Sequence, residues 1–260
     1  MFFLDEILEN KEIKELLLND KELMTKGKSI AEQIIEAKNV IYPKAGLLPL
    51  AVLHFLADYC LEKNNSRGIP KEITVSSLKD VNIWIENYKN QYGKLGFAEF
   101  GWMIDFYTGE RFRLGRLQYN FGVLNPYIPS GDSVLDVHIP QGEPLNIKSC
   151  LDSFQQAKEF FATFYPNKKP DYFLCDSWLL CPQLEHIAEE NSNLVQFMKL
   201  WTQIPFPSDN SAQAIERVFG FGFQQQNLIN APETTRLQRS LKTYLLNGGQ
   251  INMCAGYRKI

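Results

Sequence analysis

Val134-Leu-Asp-Val-His-Ile-Pro140, Gln141-Gly-Glu-Pro-Leu-Asn146 and Ile147-Lys-Ser-Cys-Leu-Asp-Ser-Phe-Gln-Gln-Ala-Lys-Glu-Phe-Phe161 stand in series. The first segment alternates and is stopped by proline, as a strand is. The second is a polar loop. The third repeats its apolar residues at helical spacing, through Ile147, Cys150-Leu151, Phe154, Ala157, Phe160-Phe161 and Phe164, and Pro166 and Pro170 end it. Asp171-Tyr-Phe-Leu-Cys-Asp-Ser177 follows as a second, nearly continuous apolar strand, the grammar of a central strand. Strand, loop, helix and strand make a βα unit, and the chain around it reads as mixed α/β (α+β).

Outward from this unit the pattern changes near residue 95. Before it, apolar residues recur at helical spacing through Ile7-Leu8, Ile13, Leu16-Leu17, Ile30, Ile34-Ile35 and the run from Leu47 to Tyr59. Ser77-Leu78, Val81, Ile85 and Tyr88 close the set, with Ser76 or Ser77 as N-cap. Four or five short helices are expected, joined by turns at Lys-Gly-Lys (26–28), Tyr-Pro-Lys-Ala-Gly (42–46) and Asn-Asn-Ser-Arg-Gly (64–68). We therefore divide the chain into an all-helical lobe over residues 1–100 and an α/β lobe over 101–260. In the second lobe Arg111 to Val123 alternates as a strand with a kink at Gly115. Pro182–Ala188, Ser211–Val218 and Thr234–Leu246 read as helices and Ile251–Tyr257 as a last strand; residues 192–201 read equally as helix or strand.

The composition removes several functions. The chain has 260 residues, 27 Lys+Arg against 30 Asp+Glu, 45% hydrophobic and 22% charged residues, which describes an ordinary globular protein with a full core. Residues 1–100 carry 13 basic and 15 acidic side chains and the remainder 14 and 15, so neither part is a basic block for nucleic acid or an anionic membrane. Met1-Phe-Phe-Leu4 runs straight into Asp5, Glu6 and Glu9, and the apolar stretch from Ala45 to Ala57 is too short to span a bilayer. Five scattered cysteines without a C-x-x-C pair fit a reducing compartment; a cytoplasmic location is the expectation. The oligomeric state is not legible. No phosphate-loop, H-E-x-x-H, G-x-S-x-G or dinucleotide signature occurs, and Gly220-Phe-Gly222 follows a helix rather than a strand. The three histidines are far apart, so no resident metal is expected.

Chemistry then concentrates at strand ends. His138, near the end of its strand, is either a general base facing a cleft or a buried histidine fixed by hydrogen bonds. Asn146 as N-cap, with Ile147, Lys148 and Ser149 in the first turn, presents backbone N–H groups to an anion such as a phosphate, as other βα junctions also do. Cys175, Asp176, Ser177 and Trp178 form the second concentration. Cys175 is a nucleophile only with a base beside it and otherwise a small buried hydrophobe; Trp178 walls a pocket or caps the core. Arg111, Arg113 and Arg116 either grip phosphates or lie on solvated surface.

Several of these segments together resemble a known family. Arg113-Leu-Gly-Arg-Leu-Gln-Tyr119, Val137-His-Ile-Pro140, the helix from Cys150 to Phe161, Cys175-Asp-Ser-Trp-Leu-Leu-Cys-Pro-Gln-Leu184, Asn191-Ser-Asn-Leu-Val-Gln-Phe197 and Thr235-Arg-Leu-Gln-Arg-Ser-Leu241 occur in order over most of the chain. They resemble bacterial acyltransferase-domain proteins with a helical N-acyltransferase N-terminal domain and a GNAT-like C-terminal domain. The resemblance implies a GNAT-like mixed sheet flanked by helices over about 101–260, with acyl-CoA as cosubstrate, no permanent cofactor, and a small or peptide amine as acceptor. On that footing we expect Gln141, Gly142, Asn146, Ile147, Lys148 and Ser149 to hold the CoA phosphates, His138 to take the amine proton and Ser177 to protonate the departing thiolate. Arg113 and Trp178 then touch substrate, and the lobe bearing Trp84 and Trp102 covers the acceptor. The loop departs from the glycine-rich GNAT pattern: only Gln141 and Gly142 echo it, and Glu143 and Pro144 do not. The alternative is a non-catalytic GNAT-like binding or assembly protein that has lost this loop; a hydrolase using Cys175 is third.

Overall fold

A computed structural model describes residues 1–122, 133–208 and 210–260. Val123 of the expected strand lies outside them. The chain forms two units, Met1–Leu114 with Pro140–Gly142, and Gly115–Ile139 with Glu143–Ile260.

The first unit is built on α3 (Leu48–Ser66), which buries Leu50 to Leu53, Leu56, Ala57 and Cys60 and is apolar on nearly every side. Around it lie α1 (Lys11–Asn19), α2 (Lys21–Ile35), α4 (Lys71–Leu78), α5 (Val81–Tyr92) and α6 (Phe100–Tyr107), with β1 (Arg111–Leu114) after them. Lys26-Gly-Lys28 is not a turn but the middle of α2, and Gly27 is there for packing. A Cβ on it would stand 2.7 Å from the Cβ of Ala51, so only glycine lets α2 approach α3 this closely. Ser77 is not a cap either. It ends α4 with its hydroxyl bonded back to the Ile73 carbonyl at 2.7 Å, while α5 begins after Asp80. A short π-helical turn, Phe3–Ile7, inserts Phe3, Leu4 and Ile7 into the same core. Asn82 ties it down, donating to the Ile7 carbonyl at 2.9 Å and accepting from the Glu9 N–H at 3.0 Å.

In the second unit the strands lie in the order β2-β3-β4-β6-β5, with β2 (Leu117–Gly122), β3 (Val134–His138), β4 (Tyr172–Ser177), β5 (Thr202–Ser208) and β6 (Met253–Lys259). The β3–β4 pair is parallel and the β2–β3, β4–β6 and β5–β6 pairs are antiparallel. A parallel pair needs a crossover, and α7 (Ile147–Phe164) supplies it. Its apolar face covers one side of the sheet: Phe154 packs on Phe173 (centroids 4.9 Å) and Tyr119 (6.5 Å), Phe161 on Phe121 (4.9 Å). Ser153 in that face accepts from the Leu117 N–H at 3.1 Å and pairs with the Tyr119 hydroxyl at 2.9 Å. Leu151 is an exception at 39% exposed, one position round the helix from the buried Cys150.

The remaining elements refine the sequence reading. Gly115, at φ +68°, breaks the expected kinked strand into β1 and β2. Residues 192–201 contain a helix, α8 (Asn193–Met198), capped by Ser192. The strand β5 after it carried no period-two signal. Pro182–His186 is a 3-10 turn; α9 (Ala212–Phe219) and α10 (Arg236–Leu246) are helical, the latter opened by a Thr235/Gln238 capping box. No helix among the described residues is long and apolar enough to cross a membrane.

His54 gives the first unit a defined response to acid. It is 6% exposed on α3, its ring meets the edges of Phe3 (6.0 Å) and Phe55 (4.8 Å), and its Nδ1 has no hydrogen-bond partner among the described residues. Desolvation holds its pKa below 6.5, only partly offset by Asp58. The unfolded chain therefore takes up this proton before the folded one does. The stability contribution of neutral His54 is complete above about 6.5 and is lost as pH falls from there through the lower folded value. Melting temperatures between pH 7.5 and 5 are expected to fall more steeply for the wild type than for His54→Leu. Parallel profiles would show that His54 binds its proton as readily in the folded chain as in the unfolded one.

Candidate functional site

The parallel ladder between β3 and β4 is short. It pairs Val134 with Tyr172, Leu135 with Phe173 and Asp136 with Leu174, and goes no further. Each strand nevertheless continues on its outer side: Val137 and His138 remain paired with Tyr119 and Gln118 of β2, and Cys175, Asp176 and Ser177 with Gly256, Ala255 and Cys254 of β6. Two parallel strands thus part at their C-terminal ends while staying anchored to their outer neighbours, the place where open α/β sheets hold ligands.

Alternation assigns the side chains around this parting to faces. Asn120 pairs with Asp136 and Asp136 with Leu174, so Asn120, Asp136, His138 and Asp176 share the face opposite α7. His138 Nε2 lies 2.6 Å from Asn120 Oδ1; Asn120 Nδ2 donates to the Phe121 carbonyl at 3.1 Å and approaches Asp136 Oδ2 at 3.4 Å. Of the two expectations for His138, the structure shows a half-buried imidazole at a strand end with a hydrogen-bonded neighbour. Asp176 keeps solvent exposure yet is recessed enough for desolvation to raise its carboxyl above the usual range. The apolar part of the same face is Val134, Leu174, Ile204 and Ala255 with Tyr172 and Tyr257.

Ser177 is on the other face and is buried; its Oγ accepts from the Leu179 N–H at 3.2 Å, capping a 3-10 turn over Trp178–Leu180. His138 and Ser177 therefore form no dyad. Trp178 is 7% exposed, packed as core, with its main-chain N–H donating to Gln213 Oε1 at 2.8 Å. Cys175 is fully enclosed, and burial with Asp176 and Asp136 nearby holds its thiol far above the normal range, so it supplies no thiolate at neutral pH.

At the start of α7 the Asn146 side chain accepts from the Ser149 N–H at 3.2 Å, as the sequence predicts for a cap. The N–H groups of Ile147 and Lys148 belong to the first turn, where an α-helix has no carbonyl to offer them. Lys148 is 84% exposed and pairs with Asp152 at 2.6 Å. The loop before the helix is held from below by Arg116, which is 5% exposed: Nε reaches the Pro144 carbonyl at 3.1 Å and Nη2 the Glu143 carbonyl at 2.7 Å. Solvated surface was the wrong reading for two of the three arginines, because Arg111 is buried as well, over the Trp102 ring at 4.1 Å and paired with Asp105 at 2.6 Å.

Three of the expected site residues belong to the first unit. Arg113 bonds Ser77 Oγ through its main-chain N–H at 2.8 Å. Gln141 shares its side-chain amide with Asn87 at 3.0 Å, and Gly142 takes φ +108°, a turn conformation suited to glycine. His138, Asn146 to Ser149, Ser177 and Trp178 belong to the second. The sequence reading missed Asn120, Asp136 and Arg116. Asp136 carried a signal, since it alternates with His138; Asn120 carried none, being placed by cross-strand pairing, and nothing local marks Arg116, which bonds carbonyls 27 and 28 residues on.

Arg116 is the easiest of these to test without a ligand. Arg116→Met removes both donors and leaves the carbonyls of Glu143 and Pro144 without them, which costs on the order of 1–3 kcal/mol. Thermal unfolding should register that loss, and hydrogen exchange should quicken at residues 145–149 while the centre of α7 stays protected. Unchanged exchange there would show that the loop holds itself.

The comparisons with known proteins agree with this architecture. A model described as the N-acyltransferase N-terminal domain matches residues 3–109 and one described as the GNAT-like C-terminal domain matches residues 111–258. Among solved structures, an acyltransferase in complex with CoA and 10C-teicoplanin is 27% identical over 82% of this chain and 66% of its own, with a TM-score of 0.74. An acyltransferase in complex with decanoyl-CoA is 30% identical, covering 82% of this chain and 65% of its own at a TM-score of 0.71. A third, with decanoyl-CoA and teicoplanin, is similar in fold over 99% of this chain and 86% of its own, at 23% identity and a TM-score of 0.81. This chain thus spans about two thirds of the length of the first two. No curated protein matches it. Since the C-terminal model alone spans more than half of the residues, this protein belongs to the family with a GNAT-like C-terminal domain.

Proposed function

We propose that this protein is an acyl-CoA-dependent N-acyltransferase that moves an acyl group from the CoA thioester directly to an amine. The observation that carries this reading is the parting of β3 and β4 beyond Asp136 and Leu174, with an imidazole at its edge and the start of α7 following β3. An extended acyl-pantetheine chain suits the gap between two parting strands, and its phosphates suit the amides of Ile147 and Lys148 at the positive end of the α7 dipole. The solved structures similar to this chain support it, since they hold CoA or decanoyl-CoA, two of them with teicoplanin or 10C-teicoplanin.

In this reading the amine nitrogen attacks the thioester carbonyl carbon while backbone N–H groups polarise the oxygen. The new C–N bond forms, the C–S bond breaks, His138 takes the proton from the amine, and the CoA thiolate leaves and takes a proton from solvent, since Ser177 is buried on the other face with its Oγ on the Leu179 N–H. Gln141, Gly142 and Arg113 are proposed contacts of CoA and acceptor, while Trp178 is packed as core.

A second reading is favoured by the loop. Gln141 is tied to Asn87 and Glu143 adds a carboxylate to the loop before α7, which suits a binding protein that no longer turns over. Calorimetric titration with acetyl-CoA, a longer acyl-CoA and free CoA separates the two. Micromolar binding, about −8 kcal/mol, is expected for at least one acyl-CoA. His138→Ala should leave that affinity nearly unchanged and lower kcat/KM about 100-fold or more. Unchanged kcat/KM would remove His138 as the base, and no binding of any of the three would favour the non-catalytic protein.

A further inference from the structure

We infer that Asn120 and Asp136 are positioning residues that fix His138 in one tautomer, with the proton on Nε2 and the lone pair on Nδ1. The inference rests on the reading of His138 as the base. It starts, however, from groups whose hydrogen-bonding character is settled by chemistry. The Phe121 carbonyl and the Asp136 carboxylate both only accept. The atom of the Asn120 amide that lies 3.1 Å from the first and 3.4 Å from the second must therefore be its NH2 group. That orientation aims the amide oxygen at His138, 2.6 Å from Nε2. An amide oxygen also only accepts, so Nε2 carries the hydrogen. The neutral ring then has its lone pair on Nδ1, and Nδ1 is the atom that takes the amine proton.

The arrangement is rigid because every member sits on a paired strand. Asn120 is directly opposite Asp136, and Gln118 directly opposite His138. Gly122, two residues along β2 from Asn120, leaves the space for the acid: a Cβ there would stand 2.0 Å from Asp136 Oδ1. Any side chain at 122 would displace the carboxylate that faces the amide. When His138 has taken the proton, the negative charge of Asp136 is two residues away on the same face, transmitted through the polarised amide, and favours the imidazolium.

The test is spectroscopic first. In the full chain labelled with 15N-histidine, the His138 ring is identified by its absence in His138→Ala. Its long-range proton–nitrogen pattern above the imidazole pKa is expected to show Nε2–H alone. In Asn120→Leu the pattern should change to a mixture of tautomers, and kcat should fall about 10- to 100-fold, the usual loss when the group that orients a histidine is removed, with KM for the acyl-CoA little changed. Asp136→Asn, which keeps the size but can present either a donor or an acceptor, should loosen the tautomer less, since the Phe121 carbonyl still orients the amide. An Nδ1–H or mixed pattern in the wild type, or an Asn120→Leu protein with an unchanged pattern, overturns the inference whatever the activity. Full activity in His138→Ala would instead overturn the reading of His138 as the base and leave the tautomer result standing.

Discussion

The second unit depends on how two parallel strands separate. β3 and β4 share three paired residues and then diverge, and each is kept in the sheet by an antiparallel partner on its far side. Parallel pairing is slightly weaker per residue than antiparallel pairing, so the ladder that yields is the one whose loss costs least. The consequence is a gap lined by backbone and walled by fixed strands. Side chains that alternate along those strands inherit that rigidity: His138 and Asp176 on one face, Cys175 and Ser177 on the other. What can happen chemically at each wall is decided by the register, not by loop conformation.

Burial then sorts these groups. Cys175 faces α7 in a closed apolar layer where a thiolate has no solvation, so the nucleophile that the sequence offered is inert. Asp176, one residue on, points the other way and feels only a moderate desolvation. The same alternation separates His138 from Ser177. Covalent catalysis needs a nucleophile and a base in contact; none of the described geometry brings such a pair together here. Direct transfer, as proposed above, makes no such demand.

The parts of this protein legible in the sequence were those encoded locally. The βα unit from Val134 to Phe164 carries its own signals: alternation, a proline stop, a capping asparagine and a 3.6-residue apolar stripe, all found in the structure. Ser192 and Thr235 cap α8 and α10 in the same local way, although the sequence reading named neither as a cap. Local signals failed where a distant partner decides. Gly27 looks like a turn until Ala51 is placed against it, and Ser77 looks like a cap until its hydroxyl is seen to be occupied by Ile73 and Arg113. Arg111 and Arg116 read as surface because a buried guanidinium is exceptional, and only the carbonyls, Trp102 and Asp105 around them make it tolerable. At the candidate site the sequence points to His138 but not to Asn120, whose importance comes from cross-strand pairing that no single stretch encodes.

The start of α7 shows which groups there can matter to an anion. Lys148 is the obvious cation, but it is highly exposed and already paired with Asp152, and such pairs are heavily screened. Asn146 consumes the Ser149 N–H, and the Asn146 N–H is itself bonded to the Pro144 carbonyl at 2.9 Å. What the helix offers an anion is the pair of amides on Ile147 and Lys148, backed by a dipole worth roughly half a positive charge. Their direction is set by the loop that Arg116 holds from beneath. The arginine acts on these amides without touching them: its hydrogen bonds to the carbonyls of Glu143 and Pro144 hold the loop that precedes them. In the proposed reading, backbone geometry stabilised by a buried cation would take the place of the glycine-rich loop that this chain lacks.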